Sequence, residues 1–190
     1  MRAGLHVVEL GGRFYLMGGR TPEDSPIPDV SMLWADVWTS DDDGVSWTRI
    51  LESRAPGHWL PRAYFQAVTK GSSMYVVGGQ DFGIMSNFYN DVWKSEDGVE
   101  WTLLTADAGW TPRAGLRAVV FNDVWKSADG VTWQQMTADA PWEPRAGAVV
   151  VVKDGYMVLL GGEDGFLCEP QPNCELPYFN DVWRYALPSP

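Results

Sequence analysis

Ligation, nucleophilic attack and proton transfer need side chains that this chain of 190 residues supplies sparingly. It has two histidines, His6 and His58, and two cysteines, Cys168 and Cys174. The cysteines share one Pro-rich loop, Cys168-Glu169-Pro170-Gln171-Pro172-Asn173-Cys174. They either close a disulfide, which would imply an oxidising, extracellular setting, or stand as separate thiols. So few ligands make no convincing zinc site. Asp41-Asp42-Asp43 offers the oxygens that calcium takes, but a single run without further ligands reads as an acidic, solvated turn. Nucleophile elbow, phosphate loop and paired-histidine helix are all missing. No catalytic residue, metal or cofactor is expected.

The remaining candidates recur. Arginine returns at Arg2, Arg62, Arg113 and Arg145, and aspartate at Asp36, Asp91, Asp123 and Asp181. A charge that appears in every copy of a repeat is expected to orient strand ends, arginine pairing with aspartate or with backbone carbonyls. Trp59, Trp110 and Trp142 each stand two residues before a Pro-Arg. They are candidate ligand-binding rings, stacking on a sugar or a peptide, with packing of the loops as the other reading. Trp38, Trp93, Trp125 and Trp183 sit in Asp-Val-Trp, and Trp47, Trp101 and Trp133 follow the next turn. Rings at repeated positions are expected to pack one repeat on the next.

The elements that must position these residues come from the same repetition. Asn90-Asp91-Val92-Trp93 through Trp101-Thr102 returns almost letter for letter from Asn122 to Trp133, with a looser copy at Asp36–Thr48 and a truncated one at Asn180–Trp183. Each unit opens with Arg-Ala and a short apolar run that reads as a strand. In three units a turn and a second apolar strand follow, ending in Gly18-Gly19, Gly78-Gly79 or Gly161-Gly162. Paired glycines suit a backbone that takes positive φ or passes close to a neighbour. A variable loop, the Asp-Val-Trp strand, a Ser-x-Asp-Gly turn and a Trp-Thr strand complete a four-stranded antiparallel meander.

These residues resemble the kelch repeat: a strand ending in Gly-Gly, an aromatic strand after it, and a Trp further on. The turn is also similar to the Asp-box of sialidase-like propellers, with Ser40, Asp42, Gly44 and Trp47 matching in full. The copies at Ser95 and Ser127 are one residue shorter. Both resemblances imply an all-β, kelch-like propeller in which each meander is a blade and the Asp-box is structural. The units run over residues 2–61, 62–112, 113–144 and 145–190. The third lacks the second strand and its Gly-Gly, so Leu116 to Lys126 is predicted as one long strand or a frayed segment before a hairpin. The fourth lacks its last strand. About three and a half blades result, where a closed ring has about 4–8. The chain, expected as a single domain, therefore reads as a partial propeller, with open blade faces and edges that invite self-association.

By strand parity, loops after strands two and four emerge on one face, and the variable loops Arg20 to Leu33, Gln80 to Tyr89 and Glu163 to Phe179 gather there. Function is expected on that face, as protein or glycan binding by a scaffold module. The alternative is a carbohydrate-active propeller enzyme, since galactose oxidase, sialidases and sugar epimerases use related folds. His6 and His58 cannot be matched to the copper ligands of galactose oxidase, and no sialidase constellation can be assigned. A formal charge of -11 argues against nucleic acid and anionic membrane as partners, since both call for a basic footprint. No apolar run approaches a membrane span, and no signal peptide is visible at Met1-Arg2-Ala3-Gly4.

Overall fold

A computed structural model describes residues 2–21, 32–81, 86–115, 123–143, 145, 147–163 and 178–187. Short valine-rich runs broken by glycine turns form strands, and no helix occurs among the described residues. β1 (His6–Leu10), β2 (Arg13–Thr21), β3 (Met32–Ser40) and β4 (Thr48–Leu51) make one antiparallel sheet in that order. β5 (Gln66–Lys70), β6 (Ser73–Gln80), β7 (Phe88–Ser95) and β8 (Thr102–Thr105) repeat it. These are the expected meanders. The glycine pairs mark a register shift in each, between Met17 and Gly19 and between Val77 and Gly79. Gly79 has φ 102°, and a Cβ there would meet the Cβ of Phe65 at 2.7 Å. The pair therefore supplies both the left-handed backbone and the close approach.

The shortened third unit shows β9 (Val124–Ser127) and β10 (Trp133–Thr137) as a two-stranded sheet. Of the segment predicted as a long strand, Val124 to Lys126 lies in β9; Leu116 to Asn122 lies outside the described residues. The fourth unit contributes β11 (Val149–Lys153), β12 (Tyr156–Leu160) and β13 (Val182–Ala186), again antiparallel and in chain order. Cys168 and Cys174 lie outside the described residues.

The chain gathers into two compact units. The first holds β1–β8 with the Ser127–Trp133 turn, and the second holds Gly115–Lys126 and the chain from Gln134 onward. In the first, β1 packs against β5, and Met17, Val37, Phe65, Met74 and Val76 form a core with Trp59 and Trp101. In the second, Val124, Ala140, Trp142, Ala148 and Leu159 form a smaller core.

Candidate binding face

Arg62 shows what the repeated charges do. Its Nη1 and Nη2 donate to the two carboxylate oxygens of Asp91 at 2.6 and 3.0 Å. Nη1 also donates to the Gly78 carbonyl at 3.0 Å, and Nε to the Leu60 carbonyl at 3.0 Å. The guanidinium lies 3.8 Å from the ring centre of Tyr89. Asp91 accepts a further bond from Trp93 Nε1 at 2.8 Å. Arg2 grips Asp36 and the Gly18 carbonyl over Trp34 in the same way. Arg145 grips Asp181 and the Gly161 carbonyl over Phe179. That guanidinium holds the Asp181 carboxyl down at about 2. The bidentate fork, a carbonyl and an aromatic face engage Arg2, Arg62 and Arg145 within their own sheets.

Alignment on the aspartate brings out a position that reading for identical letters misses. Trp34, Tyr89, Phe121 and Phe179 all stand two residues before it. Trp34, Tyr89 and Phe179 form the floor under the arginine; Phe121 lies outside the described residues. Trp34, the one tryptophan outside the repeated sets, finds its place here.

The Ser-to-Trp hairpin turns are likewise closed on themselves. Asp97 accepts from the amides of Val99 and Glu100 and from the Ser95 hydroxyl, and Ser95 accepts from the amide of Gly98. Trp101 Nε1 then bonds the Gly98 carbonyl at 3.1 Å. Ser127, Asp129, Gly130 and Trp133 repeat the pattern. The longer first copy fits its extra residue by placing Asp43 at φ 57°. There Asp42 takes the hydroxyl and amide of Ser46 and the hydroxyl of Ser40, which hold its carboxyl at about 2. Asp42 is thus a turn cap, and Asp41 pairs with Arg13. Among the described residues no cluster of His, Cys, Asp or Glu is placed to hold a metal ion.

Trp59, Trp110 and Trp142 are all buried, Trp59 to 1% exposure. Each meets an aromatic ring edge-on: Trp101 at 6.0 Å, Trp133 at 6.0 Å and Tyr185 at 6.0 Å respectively. This placement serves the packing role and leaves no open ring face for stacking. Trp101 is buried against the same cluster, while Trp38, Trp47, Trp93, Trp125, Trp133 and Trp183 are partly covered. Trp38, Trp125 and Trp183 each bond the aspartate two residues before, at 2.7, 2.8 and 2.7 Å.

What remains open lies at the ends of the second strands. Asp81 closes the base of the loop after β6, accepting from the amide and side chain of Asn87 and from the Tyr89 hydroxyl. Burial, with the Asp81 charge, pushes the Tyr89 hydroxyl up to about 12. Phe88, next to Tyr89 in the chain, is exposed. Arg20, at the end of β2, stacks on Tyr64 at 5.5 Å. Tyr64 has φ 54°, where the other units have Gly4, Gly115 and Gly147 at φ 63°, 68° and 69°. Bulky residues avoid that region, and such strain is concentrated at functional positions. A separate cleft of about 90 Å³ lies between β5–β7 and the Ser127–Trp133 turn, lined by Val68, Lys70, Tyr75 and Gly130 among others.

The kelch motif family matches residues 61–94, which run from the Arg62 clamp to the Asp91-Val92-Trp93 strand. The chain is 38% identical over 74 residues to the flagellar outer-arm dynein alpha chain of Chlamydomonas reinhardtii, covering 37% of this chain and 2% of that protein. The structure of YjhT, a kelch-type propeller, matches 85% of this chain and 59% of its own, with a TM-score of 0.67 at 14% identity. At that identity the likeness is one of fold. With the motif, the four-stranded blades and the propeller neighbour in agreement, the chain carries a kelch motif within an all-β, kelch-like partial propeller.

Proposed function

We propose that this chain is a protein-binding scaffold module whose loop face engages a partner with a basic surface. The observation that carries the reading is that the repeat's charges satisfy one another, which leaves the segments that differ between units as the recognition surface. Those segments, residues 21–33, 81–89 and 163–179, contain eight carboxylates and no lysine, arginine or histidine. Kelch repeats generally serve protein–protein interaction, which supports a protein partner. The burial of Trp59, Trp110 and Trp142 removes the rings best suited to stacking on a glycan. Tyr64, strained where its counterparts are glycine, and exposed Phe88 are the apolar anchors of this surface.

The test is affinity capture with the intact chain and with a chain whose three loops are exchanged for Gly-Ser segments. Capture should vanish on exchange, and captured protein should elute with rising salt, because interactions between exposed charges are screened. Tyr64→Gly should hold or raise the melting temperature while weakening capture. Partners retained by the loop-exchanged chain would overturn the proposal.

A further inference from the structure

An aspartate followed by glycine is open to attack from its own main chain, because glycine leaves the next amide nitrogen unshielded. The described residues hold four such pairs: Asp43-Gly44, Asp97-Gly98, Asp129-Gly130 and Asp154-Gly155. A fifth, Asp164-Gly165, lies outside them. Hydrogen bonds that fix the carboxyl and the glycine amide keep such a pair inert. So do neighbours that crowd the space in which a ring would close. The four pairs differ on both counts.

Asp97 accepts from the amides of Val99 and Glu100 at 2.8 and 2.9 Å, and the Gly98 amide donates to the Ser95 hydroxyl at 2.8 Å. Asp129 and Gly130 are tied in the same way to Val131, Thr132 and Ser127. The amides of Thr132 and Val131 hold the Asp129 carboxyl below its ordinary range, in the ionised form from which no hydroxyl departs. Both glycines are crowded: a Cβ on Gly98 would meet the Tyr15 ring at 3.0 Å, and one on Gly130 would meet Leu104 at 2.9 Å. In the first copy the Gly44 amide still donates to the Ser40 hydroxyl at 2.9 Å. Asp154-Gly155 is built differently. It is the two-residue connection between β11 and β12, closed by Lys153 opposite Tyr156, with φ 51° and 77°. The hairpins at this place in the first two sheets use Gly11-Gly12 and Gly71-Ser72, which carry no carboxyl. Among the described residues neither the Asp154 carboxyl nor the Gly155 amide has a hydrogen-bond partner. Both residues are exposed, and a Cβ on Gly155 would meet nothing within 4 Å.

We infer that Asp154-Gly155 is a site of spontaneous isoaspartate formation, with solvent water as the only other reactant. The Gly155 nitrogen attacks the side-chain carboxyl carbon of Asp154. Its proton and the carboxyl hydroxyl depart together as one water, which closes a cyclic imide. Water then adds to one of the two imide carbonyls. Addition at Cγ breaks the new C–N bond and restores aspartate. Addition at the backbone carbonyl breaks the original peptide bond, so the chain runs on through Cβ and the former backbone carbonyl becomes a free carboxylate. The tight connection gains one main-chain carbon. Its geometry also places the Gly155 carbonyl, which accepts from the Leu187 amide at 2.8 Å, so conversion loosens the chain just after β13. The turn lies at the opposite end of its strands from the loop after β12, and the inference stands independently of the proposed function.

Incubation of the intact chain for weeks in mildly acidic buffer tests this, with methyl labelling by an isoaspartate-specific methyltransferase mapped by peptide mass. Label at Asp154 should rise several-fold faster than at Asp97 or Asp129, with Asp43 between. In denaturant, where the turns no longer hold their bonds, the four rates should converge. Asp154→Gly rebuilds the Gly-Gly connection of β1 and β2, so it should remove this label and leave the circular-dichroism melt unchanged. Ser127→Ala frees the Gly130 amide and should speed labelling at Asp129; if that variant melts abnormally, Ser95→Ala with labelling at Asp97 takes its place. No label at Asp154, or label at Asp43, Asp97 or Asp129 rising as fast in the folded chain, would overturn the inference. Rates that still differ several-fold in denaturant, or a serine variant that labels like wild type, would do so too.

Discussion

Arg62 directs Nε to the Leu60 carbonyl, Nη1 to Gly78 and Asp91, Nη2 to Asp91, and its flat face to Tyr89. With the side chain 1% exposed, water cannot replace any of these partners. Asp91→Ala would leave the guanidinium buried and uncompensated, a change that costs about 3–5 kcal/mol in comparable buried pairs. Denaturant unfolding of this variant should show that loss; a change under about 1 kcal/mol, the range of exposed pairs, would mean that the clamp contributes little. The pairing of repeated arginine with repeated aspartate could be read from the sequence because both letters recur in step. The aromatic floor could not, because Trp34, Tyr89 and Phe179 share a property and a place but no letter. Tyr64 was equally hidden: the sequence shows tyrosine where other units have glycine, and only the φ of 54° reveals strain.

At the scale of the element, the Ser-x-Asp-Gly turn is a folded unit that places one tryptophan. Trp101 hangs from the Gly98 carbonyl and meets Trp59 edge-on at 6.0 Å, so the turn of one sheet touches the loop that follows the sheet before it. Gly98 itself sits where a Cβ would lie 3.0 Å from the Tyr15 ring and 3.1 Å from Ile50. Trp101→Ala should therefore cost about 3–5 kcal/mol, as removal of a buried aromatic does. Trp47→Ala, at the same position of the first turn but half-buried, should cost roughly half as much, since burial scales the transfer energy. Equal losses in thermal melts of the two variants would count against a packing role. The meander order was legible because each strand is bounded by its own turn chemistry. Which face of a sheet is covered was not, since that depends on a neighbour far away in the chain. The ambiguity over Trp59, Trp110 and Trp142 had the same origin: an aromatic in a loop reads alike whether it faces water or a second ring.

For the whole molecule, the repeats account for the architecture and the departures from repetition locate the surfaces with work left to do. Foremost among these are the acidic segments that follow the second strands. One joint has a bearing on how the chain comes apart. Gly19 donates to the carbonyl of Arg62 and Gly79 to that of Arg113, so the first residue of each unit closes the sheet before it. The block that opens and closes together is thus offset from the block that is repeated in the letters. Native-state hydrogen exchange should find the Gly19 and Gly79 amides protected to the level of the strand centres, even though they lie at strand ends where fraying is usual. A polypeptide cut between residues 105 and 113 would keep all of β5–β8 and lose the Gly79 acceptor. Exchange at Gly79 should then quicken while Gly19, whose acceptor is retained, stays slow.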